Sequence, residues 1–115
     1  MSMVIDLHAH VVLEESFGTA GEYGPELSSD AKVQDFRVGD YVMRVPYRGS
    51  VFMNAQKRVD AMDALGIDLQ LLSPNPLSFF GHINATDALR FAKASNDAMV
   101  KHIDPFKNRL LGAAS

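Results

Sequence analysis

Short apolar runs alternate with segments of helical spacing along this chain, and that alternation restricts its fold more than any other feature. The run Val4–His10 (Val-Ile-Asp-Leu-His-Ala-His) reads as a strand. Residues 54–65 read as a helix: Asn54 suits an N-cap, and Ala55, Val59, Met62 and Leu65 recur at steps of four, three and three. Gly66 follows, where a left-handed residue is cheap for glycine. Residues 67–73 form a second strand closed by Pro74 and Pro76, which cannot donate to a ladder. Residues 86–103 carry a stripe of Leu89, Ala92, Asn96, Met99 and Ile103, and Pro105 stops this second helix. Residues 109–115 (Arg-Leu-Leu-Gly-Ala-Ala-Ser) read as a third strand. Strands separated by helices pair in parallel through right-handed crossovers, so the expected class is α/β. Residues 14–51 lack a sustained helical period and are expected to be a long loop, with a short strand near 40–45 in a hairpin over a site.

The first strand also carries chemistry. Its side chains alternate between faces, so a regular strand places Asp6, His8 and His10 on one side and Ile5, Leu7 and Ala9 on the other. Two imidazoles at a strand's end can grip one divalent metal ion, although a lone His-x-His on a strand is more often structural than ligating. The one-residue gap is what the geometry needs. Asp6 then serves as an acceptor that orients an imidazole, or is a buried carboxylate satisfied by backbone donors.

Composition narrows the alternatives. The 115 residues suit one small domain, and 47% hydrophobic with 22% charged residues is ordinary globular usage. A net charge of -3 without a basic cluster gives no electrostatic support for nucleic acid or an anionic membrane as partner. There is no cysteine, so a transition metal would be held by His, Asp, Glu or water. No apolar run approaches the roughly 20 residues of a membrane span, and the N-terminus lacks the pattern of a signal peptide. A cytoplasmic location is expected.

The residues quoted so far resemble the opening of the amidohydrolase superfamily, in particular the amidohydrolase-related branch that includes aminocarboxymuconate semialdehyde decarboxylase. The stretch Val4–His10 looks like its first strand. The stretch Arg58-Val59-Asp60-Ala61-Met62-Asp63-Ala64-Leu65-Gly66-Ile67-Asp68 looks like its Arg, Met-Asp, Gly and Val-Asp pattern. Ser95-Asn96-Asp97, Pro105, Arg109 and Gly112 are similar as well. The resemblance implies a (β/α)₈ TIM-barrel-like fold of which this chain supplies the first three βα units, incomplete on its own. It implies that His8 and His10 are metal ligands, joined in the family by a third His and a last-strand Asp that have no counterpart here. The implied cofactor is a divalent ion, Zn²⁺ first, with Mn²⁺ or Fe²⁺ as alternatives.

The implied activity is nonoxidative decarboxylation of an unsaturated or aromatic carboxylic acid, or hydrolysis, once a second polypeptide, self-association or a missing segment completes the barrel. The isolated chain is expected to be inactive. The other readings are a non-catalytic subunit that completes a partner chain's barrel, and a small metal-binding protein without turnover. The family often places an Arg near residues 43–47 to hold a substrate carboxylate, which makes Arg44, and less directly Arg48, candidates. A surface role is the alternative for each. Ser73 and Asn75 lie just past the second strand, where barrel enzymes put their sites, although the flanking prolines make a simple turn role the default. Phe79, Phe80 and His82 follow, either lining a pocket with His82 against substrate or packing beneath the loop.

Overall fold

A computed structural model describes residues 2–29, 32–78, 80 and 82–114. The three apolar runs pair as expected. Strands β1 (Ile5–Val11), β5 (Leu69–Pro74) and β6 (Leu110–Gly112) form a parallel sheet in the order β1-β5-β6. Helix α1 (Ala55–Leu65) precedes β5, and helix α2 (Ala85–Ile103) stands between β5 and β6. Asn54 caps α1 by accepting the Lys57 N–H at 2.9 Å, and Gly66 ends it with φ +72°. Asn84 caps α2 in the same way through the Asp87 N–H.

The expected loop over 14–51 is corrected. It contains an antiparallel sheet, β2 (Glu26–Leu27), β3 (Gln34–Val38) and β4 (Tyr41–Val45), in sequential order. Gln34, Phe36 and Val38 are buried while Asp35 faces solvent, which is period-two burial. The strand near 40–45 is present as β4, reached through a two-residue turn at Gly39-Asp40 with Gly39 at φ +60°. The fold is therefore mixed α/β with one parallel and one antiparallel sheet.

Two apolar clusters hold these layers. In the first, α1 and α2 cover one face of the parallel sheet: Val59, Met62, Ala98 and Met99 pack on Val11, Leu13, Leu72 and Leu110. In the second, Phe36, Val38, Val45 and Tyr47 of the antiparallel unit pack with Val12, Phe80 and Phe91. The antiparallel sheet thus sits beside the C-terminal end of β1 and near the start of α2. Asn75, just past β5, donates to the Tyr47 hydroxyl at 3.1 Å and joins the two units. The third strand is shorter than the expected 109–115. Arg109 anchors its start through Asp68 O, Ile67 O and Asp63, and Ser115 lies outside the described residues.

The second face of the parallel sheet is open. Register pairs Ile5 with Leu69 and Leu71 with Leu111 on this side, and Ile5 and Leu111 are 49% and 47% exposed. No helix among the described residues is long and apolar enough to cross a membrane.

Candidate metal centre

A bulge in β1 decides where the histidines point. Asp6 pairs with Gln70, whereas Ala9 pairs with Leu72 and His10 with Ser73. Three steps along β1 thus match two along β5, and the extra residue falls at Leu7-His8. Gln70 and Leu72 share the face that the helices cover, and Leu72 is fully buried there. Asp6 and Ala9 therefore lie on the helix side, and His10 lies with Ser73 on the open side. This corrects the reading that placed Asp6 with both histidines. Regular alternation from the Asp6–Gln70 pair would have carried all three to the covered face.

Past the bulge the two rings meet. His8 Nε2 and His10 Nε2 are 3.1 Å apart, with ring planes at 83°. His8 is exposed and His10 half-buried. His10 Nδ1 lies 2.9 Å from Ser73 Oγ, which in turn lies 3.4 Å from Ala9 O. A proton chain His10 Nδ1–H to Ser73 Oγ, then Ser73 O–H to Ala9 O, leaves the His10 Nε2 lone pair directed at His8. That is the tautomer a metal ligand needs. Two nitrogens bound at about 2.05 Å to one Zn²⁺ stand about 2.9 Å apart at a right angle and about 3.3 Å apart at the tetrahedral angle. The 3.1 Å separation falls between them, and it is equally the length of a hydrogen bond from His8 Nε2–H to the His10 Nε2 lone pair. Among the described residues no group of three or more His, Asp or Glu side chains could hold a metal.

Asp6 sits behind this pair. Its Oδ1 accepts the His8 main-chain N–H at 3.0 Å and its Oδ2 accepts the Gln70 amide at 2.9 Å. These bonds, the His8 one foremost, hold its carboxyl below the usual carboxylate value. It therefore acts on the His8 backbone. Gln70 Oε1 accepts from Arg58 at 2.9 Å, and a second Arg58 nitrogen donates to His10 O at 2.6 Å. Arg58 is buried, which draws its guanidinium below the usual value, and Asp6 opposes the shift. The sequence pattern puts Arg58 either on the helix surface or in a contact between elements, and it gives Gln70 no role. The signals were an Arg four residues before Met62 on the apolar stripe of α1, and a Gln inside an apolar run.

The remaining candidates lie elsewhere. Arg44 is exposed on β4 and makes no side-chain hydrogen bond or ion pair among the described residues. The Arg48 guanidinium is tied to Ser28 O, Leu27 O and the Glu14 carboxylate, which leaves its charge committed within the antiparallel unit. It borders a cavity of about 350 Å³ shared with Glu14, Met53 and His102. His82 is exposed, with Tyr23 and Phe80 rings 6.1 and 6.3 Å from its own. Phe80 belongs to the second apolar cluster, and Phe79 lies outside the described residues. Comparison with family models and with curated proteins returned no match.

Proposed function

We propose that this chain is the N-terminal part of a metal-dependent enzyme of the amidohydrolase-related kind, a decarboxylase or hydrolase acting on a small carboxylate. The carrying observation is the convergence of His8 Nε2 and His10 Nε2 at the C-terminal end of a parallel strand, on the open face of its sheet. A parallel sheet is normally covered on both faces. Here one face carries the helices, and the other presents Ile5 and Leu111 beside half-buried Leu69 and Leu71. An apolar lining with the histidines at its C-terminal rim is what the interior of a (β/α)₈ barrel requires. The strands β1 and β6 are edges at which further strands would pair.

In this reading His8 and His10 hold the cation, and Zn²⁺, Mn²⁺ or Fe²⁺ suits imidazole with carboxylate from elsewhere. When bound, the ion supplies Lewis-acid polarisation of a substrate carboxylate or carbonyl and acidifies water. Ser73 holds the His10 ring in the ligating tautomer. Asp6 holds the His8 backbone.

The scarcity of ligands favours one second reading: a subunit that completes another chain's barrel without turnover of its own. Native mass and metal content of the purified assembly separate the two. One metal per barrel, with His8→Ala abolishing both metal and turnover of an unsaturated or aromatic acid, supports the enzyme. A metal-free stable assembly with a second polypeptide supports the completing subunit and refutes the enzyme.

A further inference from the structure

We infer that Arg58 is a positioning residue for the histidine pair, setting how tightly the two rings take a divalent cation. The inference rests on the proposal that this pair binds metal. The bulge at Leu7-His8 is the only irregularity in the described register of β1, and it alone turns His10 to the open face. An extra residue in a strand leaves the ladder locally unpaired, and such a segment needs outside support to hold one geometry. Arg58 spans it from beneath. On the N-terminal side one guanidinium nitrogen reaches Gln70, Gln70 reaches Asp6, and Asp6 holds the His8 N–H. On the C-terminal side another nitrogen holds His10 O directly. A single planar fork from α1 thus fixes the main chain of both candidate ligands. The amide of His8 and the carbonyl of His10 flank the segment that carries both rings.

Metal affinity is steep in such support. Loss of a group that orients ligands costs about 10- to 100-fold. The full 115-residue chain is titrated with Zn²⁺ alone against a competing chelator, with folding followed by circular dichroism. Arg58→Met should weaken zinc binding about 10- to 100-fold. In the metal-free variant, the nuclear Overhauser contacts between the His8 and His10 rings should be lost. Arg58→Lys, which can still donate to His10 O, should recover part of both. Gln70→Leu keeps the bond to His10 O and cuts the link to Asp6, so it should move the His8 ring signals more than those of His10. It also serves if Arg58→Met fails to fold. Folded variants with unchanged ring contacts and zinc affinity within twofold of wild type overturn the role of Arg58. Wild-type chain whose rings touch but take no zinc overturns the metal reading instead, and leaves the ring-contact comparison to decide whether Arg58 holds the geometry.

Discussion

Gly112 tests the placement of the third strand most sharply. It lies on β6 opposite Leu72, on the face that α2 covers. A Cβ built there would stand 2.5 Å from Met99 Cγ and 3.2 Å from Met99 Sδ, with Ile103 Cδ1 at 3.6 Å. Ordinary carbon contacts begin near 3.5 Å, so the Met99 side chain would have to move by about an ångström. Met99 is buried at 4% exposure and its Cγ is near the backbone, so rotation of the chain's far end does not relieve the contact. Overpacking of this kind costs about 1–3 kcal/mol. With a urea m-value of about 2 kcal/mol per molar, Gly112→Ala should lower the unfolding midpoint by about 1 M. Met99→Ala alone should cost about 2–5 kcal/mol through the cavity it leaves. That cavity admits the new methyl group, so the double variant should be more stable than the sum of the singles by about 1–2 kcal/mol. Strict additivity would show that β6 does not lie under Met99.

Three further outcomes follow from local chemistry. Burial foremost, then Arg58, lowers the pKa of His102 below its ordinary 6.5, with Glu15 opposing. As pH falls through about 6.5 the unfolded chain takes up a proton that the folded chain refuses, so folding stability should decline there, and His102→Gln should remove that part of the slope in denaturant titrations from pH 7.5 to 5. Asn54→Ala removes the acceptor for the Lys57 N–H and should cost about 1 kcal/mol, whereas Asn54→Ser should cost little; equal losses would contradict the cap. Leu72→Ala, at a fully buried site between sheet and helices, should cost about 2–5 kcal/mol in the same urea assay, and a loss under 1 kcal/mol would contradict its central place.

The elements legible in the sequence are those whose signals are local. Asn54 and Gly66 mark the ends of α1, and α2 stands where its stripe was read, but Leu89 is 70% exposed and the buried line runs through Phe91, Ser95, Ala98 and Met99. The antiparallel sheet escaped because β2 spans two residues, too few to show a period, and because the buried Gln34 is polar, which leaves only Phe36 and Val38 to mark the inward face of β3. The histidines were legible as a pair. Their face was not, because the bulge that turns them depends on Gln70, 64 residues from Asp6. Arg58 was half legible: its spacing put it among apolar residues, but its partners on β1 and β5 are tertiary contacts that no local pattern encodes.

The central claim is that the Nε2 atoms of His8 and His10 face one another and together take a cation. Imidazole ¹⁵N spectra recorded during a Zn²⁺ titration of the intact chain test it most directly. The account predicts that the Nε2 signals of both rings shift at the same zinc concentration while His10 Nδ1 keeps its proton toward Ser73. Zinc that moves only one of the two rings, enters through Nδ1, or goes first to His82 or His102 would contradict it.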